Sequence, residues 1–180
     1  IIISASLVYA FKIVYPYKQK IEKNPEDYGL AYEDISFTTE DDFTIRGWLI
    51  PGKSNKLIIQ THPMGFTRTG FVAKEQGLIP MYITKTDVDL LATSKMLNEN
   101  GYSVLAFDFR RSGESDNGLT GVGLETYKDV AAAVAYIKSR PDLAKKQLGF
   151  VSFCMGANST IIALSKAKQE LKDISCAVLV

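Results

Sequence analysis

The sequence is poor in the residues that enzymes most often use to move protons and hold metals. Of 180 residues one is histidine, His62, and two are cysteine, Cys154 and Cys176. Zinc sites draw on several imidazole, thiolate or carboxylate ligands, so a lone histidine argues against one. No group of His, Cys, Asp and Glu has metal-ligand spacing. Two cysteines in apolar surroundings make no disulfide framework and leave the redox compartment open. Neither sign of charge dominates: 21 Lys and Arg against 20 Asp and Glu leave a formal net charge of +1. No stretch interleaves basic and aromatic residues, so nucleic-acid binding is not expected. No Gly-x-Gly-x-x-Gly follows an apolar strand and no Gly-x-x-x-x-Gly-Lys-Ser/Thr occurs, which removes the dinucleotide and phosphate-loop classes. Internal repeats, low-complexity tracts and a second-domain boundary are also missing. No cofactor is implied.

What is present is a core. With 46% hydrophobic and 23% charged residues, the chain has the composition of one folded domain, able to bury roughly 70% of its extended surface. Residues 1–23 form a hydrophobic N-terminal segment: Ile1 to Tyr17 is almost wholly apolar or aromatic, broken only by two serines, Lys12 and Pro16, and Lys18, Lys20 and Lys23 follow. A bilayer is spanned by about 17–25 apolar residues, so membrane association through residues 1–17 is expected. The competing reading is an amphipathic helix packed on the domain, and localisation is then membrane-associated or cytoplasmic. The opening on three isoleucines, without methionine, reads as a chain met after its true start. Residues 24–31, Asn-Pro-Glu-Asp-Tyr-Gly-Leu-Ala, read as a turn-rich linker, and residues 32–180 as the folded domain.

In that domain Tyr32–Thr39 and Phe43–Ile50, joined at Asp41-Asp42, predict an antiparallel hairpin. Leu57–Thr61 is a dense apolar strand. Thr67–Lys85 has no clear period and reads as a surface excursion able to shape a substrate site. A helix is predicted over Thr86–Asn100, with Thr86 and Asp89 at capping-box spacing. A buried strand follows at Tyr102–Phe107. A second helix runs from about Glu125 to Ser139, where Val130, Ala133, Val134 and Ile137 keep the helical period. Strand Gln147–Phe153, helix Cys154–Leu171 and strand Ile174–Val180 complete the pattern, which predicts a mostly parallel α/β sheet with helices on both faces.

One stretch organises the rest. Leu148-Gly149-Phe150-Val151-Ser152-Phe153 reads as an apolar strand, and Cys154-Met155-Gly156-Ala157 as a sharp turn into a helix. A side chain at such a turn stands out from the C-terminal edge of the sheet with the first helical amides behind it. That placement suits a nucleophile: the carbonyl it attacks gains charge on oxygen where the Met155 N–H points. Gly156 is small, as a turn pressed on neighbouring strands requires. The helix N-terminus favours a Cys154 thiolate. The bland alternative is a small core cysteine, which is the reading for Cys176, set mid-strand among Ile174, Ala177 and Val178.

Ser152-Phe153-Cys154-Met155-Gly156 resembles the nucleophile elbow of the alpha/beta-hydrolase superfamily, commonly Gly-x-Ser-x-Gly. Ser152 replaces the first glycine and Cys154 the serine, as in dienelactone-hydrolase-like members. Two further strings carry the resemblance. His62-Pro63-Met64-Gly65 looks like the superfamily's His-Gly segment after the third strand, with Pro63 at the glycine position. The resemblance implies that the Met64 N–H joins that of Met155 in an oxyanion hole and that His62 braces the loop; a Cys154–His62 pair is the alternative. Asp108-Phe109-Arg110-Arg111-Ser112-Gly113-Glu114-Ser115 matches the Asp-x-Arg-x-x-Gly-x-Ser run after the fourth strand, which implies bracing roles for Asp108, Arg110, Gly113 and Ser115. Asp116, Asp129 and Asp142 are expected to be solvent-facing or capping.

The implied activity is cleavage of a carboxylic ester, thioester or lactone through an acyl-enzyme on Cys154, with a small-molecule ester-like substrate. Acyl transfer and a non-catalytic binding module are the alternatives. The superfamily's acid and histidine follow the elbow, whereas no histidine follows His62 here. Either the missing C-terminal part of the same fold is a partner for this one, or a short homologue has lost catalysis.

Overall fold

The computed structural model describes residues 7, 8, 10, 11, 15–73 and 86–180. Among them β1 (Glu33–Thr38) and β2 (Thr44–Ile50) form the predicted hairpin, in register from Glu33 opposite Leu49 to Thr38 opposite Thr44. Its turn is closed by Thr39, whose hydroxyl donates to Asp41 at 2.7 Å and accepts from the Phe43 N–H at 3.0 Å. Strands β3 (Lys56–Thr61), β6 (Ser103–Phe107), β7 (Gln147–Ser152) and β8 (Ile174–Leu179) run parallel beside it. The order across the sheet is β1-β2-β6-β3-β7-β8, and β2 pairs antiparallel with β6. Two-residue strands β4 (Gly70–Phe71) and β5 (Val88–Asp89) pair separately.

Helices α1 (Leu90–Glu99), α2 (Tyr127–Ser139), α3 (Met155–Lys166) and the short α4 (Lys168–Leu171) cover the sheet. Consecutive strand residues point to opposite faces, and the core divides accordingly. Leu49, Leu105, Phe107 and Phe150 pack with Val130, Val134 and Ile137 of α2 and Ala163 of α3. Ile50, Val104 and Ala106 pack on the other face with Leu30 and Leu97. This two-sided burial is why the central strands read as continuous apolar runs.

Several expected boundaries move. Helix α1 begins at Leu90, because Asp89 rather than Thr86 is its cap and accepts from the Ala92 N–H at 3.0 Å. The elbow helix does not run unbroken to Leu171: at Ala167 (φ −107°, ψ 48°) the backbone leaves the helical region. The 24–31 stretch is no free linker. Asn24 caps a 3₁₀ turn over Pro25–Tyr28 in a capping box with Asp27, and Pro25 and Leu30 are buried. Of the expected excursion over 67–85, Thr67, Arg68 and Phe71 are buried and residues 74–85 lie outside the described set. Most of the apolar run 1–14 lies outside it too. Among the described residues no helix is long and apolar enough to cross a membrane.

Candidate active site

Cys154 sits between β7 and α3 with φ 51° and ψ −112°, and it is exposed. A non-glycine residue at positive φ costs of order 1–3 kcal/mol and persists only where its surroundings hold it. Here they do. The Cys154 N–H donates to Val180 O at 2.7 Å, and its carbonyl accepts the first helical bond from Asn158 at 3.1 Å. Buried hydroxyls pin the first turns of α3. Ser159 donates to Met155 O at 2.8 Å, Thr160 donates to Gly156 O at 2.9 Å, and the Ser152 and Thr160 hydroxyls share a bond of 2.9 Å. Met155 is wholly buried through its side chain, so its contribution at the elbow is its backbone.

The neighbouring strand supplies the second loop. Thr61 of β3 lies opposite Ser152 of β7 in parallel register, so His62–Gly65 and Cys154–Gly156 leave adjacent strand ends side by side. They are in contact at Gly156: a Cβ there would overlap the Thr61 hydroxyl and stand 3.1 Å from His62 O. Glycine at 156 is therefore required by the close approach of the Thr61 side chain to the elbow backbone. The loop turns tightly, with Phe66 N–H donating to Pro63 O at 3.2 Å and Gly65 at φ 74°. Met64 packs its side chain against the main core.

His62 is buried, and both ring nitrogens are engaged. Nδ1 is 2.7 Å from Pro63 O, and Nε2 accepts from the Phe109 N–H at 3.1 Å. A ring that donates from one nitrogen and accepts at the other is neutral, and burial pushes its pKa below the ordinary value. No lone pair remains for the Cys154 proton, so the structure pairs His62 with the β6 loop, not with Cys154. A neutral ring that resists protonation contributes stability that is present above the unfolded pKa of about 6.5 and is lost on acidification. The expected NMR result is a His62 ring still in the Nδ1–H form at pH 6. An imidazolium spectrum at that pH would contradict this hydrogen-bond assignment.

The Asp108–Ser115 run is a buried polar scaffold beside these loops. Asp108 accepts from the backbone of Arg68 at 2.7 Å and of Glu114 at 3.0 Å, and pairs with the Arg68 guanidinium. Gly113, at φ 43°, lies against the Asp108 carboxylate with no room for a side chain. The Ser115 hydroxyl donates to Asp108 O at 2.6 Å and accepts from Arg46 N–H at 2.9 Å. Arg110 does not pair with Asp108. It reaches Asp41 at 2.8 Å and Asp129 at 2.7 Å and stacks over Phe43.

Two expectations are corrected here. Asp129 is neither solvent-facing nor a cap: it is buried, accepting from the Arg110 N–H at 2.9 Å as well as from the guanidinium. Burial pushes its carboxyl up to about 6 against the pull of Arg110. Cys176 is exposed rather than in the core, since it lies on β8, which is paired on one side only among the described strands. Asp116 and Asp142 are exposed as expected; Asp116 accepts from Thr44 N–H at 2.8 Å and Asp142 pairs with Arg140 at 2.8 Å. Arg68 was not foreseen. It stacks on Trp48 with its guanidinium carbon 3.9 Å from the ring centroid and joins the loops after β3 and β6, yet its local sequence has no pattern that signals it. Among the described residues no group of three or more His, Cys, Asp and Glu is placed to hold a metal ion.

A mostly parallel sheet with an antiparallel hairpin, and a strained, exposed cysteine at a strand-to-helix turn beside a second backbone loop, is the arrangement of the alpha/beta-hydrolase fold with a cysteine at that turn. Comparison with known proteins agrees: the chain has the alpha/beta-hydrolase fold and is similar to proteins of that superfamily. It is 30% identical to the esterase Pf2001 of Pyrococcus furiosus, covering 90% of this chain and 56% of that one with a TM-score of 0.73. It is 28% identical to the polyketide transferase grgF of a Penicillium species over 84% of this chain and 46% of that protein. The crystal structure of GrgF superposes with a TM-score of 0.59, at 24% identity and over 45% of its length. The chain thus spans about half the length of the relatives it matches. No family model matches it.

Proposed function

We propose that the chain carries the nucleophile part of an enzyme that cleaves a carboxylic ester, thioester or lactone. The Cys154 sulfur attacks the carbonyl carbon, the carbonyl electron pair moves onto oxygen, and the Met64 and Met155 N–H groups receive that charge. The carbon–heteroatom bond to the leaving group then breaks. The leaving alkoxide or thiolate takes up a proton, and an acyl thioester remains on Cys154. Water completes hydrolysis. The observation that carries this reading is the backbone of Cys154 itself, held at positive φ with the thiol exposed. A core cysteine has no need of that conformation.

The second reading is acyl transfer, in which an acceptor other than water takes the acyl group. It is favoured by one observation, the matched relatives named polyketide transferases. Both readings share the acyl-enzyme. The test is incubation with an aryl thioester followed by peptide mapping by mass spectrometry. One acyl group on the peptide carrying Cys154 is expected. Acylation of Cys176 with Cys154 left free would overturn the assignment, as would a Cys154 that reacts with maleimide but never with the thioester; the binding-module reading would then stand.

A further inference from the structure

Three loops leave the C-terminal ends of β3, β6 and β7, and the residues before β1 are strapped across two of them. The Gln19 side chain is buried and bonds both backbone groups of Val72, at 3.0 and 3.1 Å, in the segment after β3. Lys18 donates to Ser115 O at 2.6 Å, in the loop after β6. The Tyr15 ring lies 4.7 Å from the guanidinium carbon of Arg111 in the same loop. Pro16 is buried between these contacts. Residues 15–19 therefore lie along the edge of the sheet on which Cys154 stands. Ahead of them, Leu7 is 65% exposed and Phe11 63%.

The same edge carries a second apolar feature. Gly121, Val122 and Gly123 all have positive φ (55°, 49° and 113°), and for a β-branched residue such as Val122 this is an outlier. Gly123 lies against α3, where a Cβ would stand 3.1 Å from Ile162 and 3.2 Å from Asn158. The strained backbone thus presents Val122, flanked by the exposed Leu119 and Leu124, to solvent next to the elbow helix. Aromatic residues at the end of an apolar run followed by lysines, as in Tyr15, Tyr17, Lys18, Lys20 and Lys23, match the chemistry of a membrane interface with anionic headgroups.

We propose that this edge of the domain faces a lipid bilayer, with Leu7 and Phe11 inserted and the Leu119–Leu124 loop touching the surface. Cys154 then takes its ester from the membrane, and the substrate class is a lipid-partitioned acyl ester. The substrate clause rests on the catalytic reading above; the orientation does not.

Orientation is measured without turnover, so the two fail separately. In a Cys154→Ser, Cys176→Ser background, single nitroxide labels are attached at Val122→Cys and, on the opposite edge of the sheet, at Lys145→Cys. Vesicles of phosphatidylcholine with 30% phosphatidylglycerol are added. The expected result is binding, with the label at 122 becoming more accessible to oxygen and less to a nickel chelate while the label at 145 is unchanged. Leu7→Glu with Phe11→Glu should weaken vesicle binding at least about tenfold, since each side chain buries apolar surface. Binding with both labels unchanged, or with 145 the deeper, overturns the proposal. So does a lack of vesicle binding, including the case in which light scattering shows that the chain has paired with a second copy of itself.

Discussion

Cys154→Ala is expected to abolish acylation by an aryl thioester, and Cys154→Ser to lower its rate by at least about a thousandfold. The alanine variant removes the only atom that bonds the acyl group. The serine variant keeps the elbow, the Ser159 and Thr160 anchors and the exposed position, so it tests chemistry against a near-constant backbone. Its hydroxyl is a weak nucleophile without an adjacent base, and both nitrogens of His62 are occupied by Pro63 and Phe109. A thiol needs less help, because a measurable thiolate fraction exists near neutral pH. The measurement is the pre-steady-state rate of acyl incorporation by intact mass, with circular dichroism to establish that each variant is folded. Serine reacting as fast as cysteine would mean that a base other than the occupied His62 reaches position 154. The fate of the thioester separates the two readings. Spontaneous loss of the acyl group points to hydrolysis, whereas loss only on adding an amine or alcohol points to transfer.

The second large effect concerns stability. Arg110→Met should destabilise the fold by about 3–5 kcal/mol at pH 8, the usual cost of removing one partner of a buried ion pair. Asp129 would be left buried and charged, and the Asp41 carboxyl, which Arg110 holds well below its ordinary range, would lose that support. The pH dependence follows from the raised pKa of Asp129. Its folded value of about 6 lies above the unfolded value of 3.8, so the folded state takes up the proton first. Stability from this group is full below the unfolded value and is lost as pH rises through the folded value. Without Arg110 the carboxyl titrates higher still. The deficit of Arg110→Met should accordingly shrink as pH falls from 8 to 5. Asp129→Asn, which keeps a hydrogen-bonding side chain in the same volume, should cost less and show a flatter profile. Urea unfolding at the two pH values measures both. A deficit independent of pH would show that packing over Phe43, not charge, is what Arg110 contributes.

The elements that the sequence determined by itself are those set by local periodicity and contiguous motifs. The hairpin was legible because two alternating runs flank Asp41-Asp42. The parallel strands were legible because burial on both faces leaves continuous apolar stretches such as Val104–Phe107. The elbow was legible because Gly149 to Gly156 holds a strand, a turn and a helix start within a few residues. The two further superfamily-like strings, His62–Gly65 and Asp108–Ser115, are contiguous too, so sequence spacing alone reveals them.

Tertiary structure decided everything that depends on residues distant in the chain. That Asp129 is buried goes with Arg110, itself paired with Asp41 of the hairpin turn, reaching it from the loop after β6, which no helical period encodes. That Arg68 binds Asp108 follows from β3 and β6 being neighbours, so that their C-terminal loops meet. The exposure of Cys176 was illegible for the same reason. An apolar strand reads alike whether it lies inside a sheet or at its margin, and β8 has a partner on one side only among the described strands. The role of His62 turned on which two groups face its nitrogens. A linker-like composition at 24–31 likewise hid a docked turn, because the burial of Leu30 is set by Ile50 and Val104 across space. Local sequence specifies backbone conformation through short-range sterics and hydrogen bonding; ion pairing, burial and protonation are set by whichever distant groups the sheet order brings within a few ångströms.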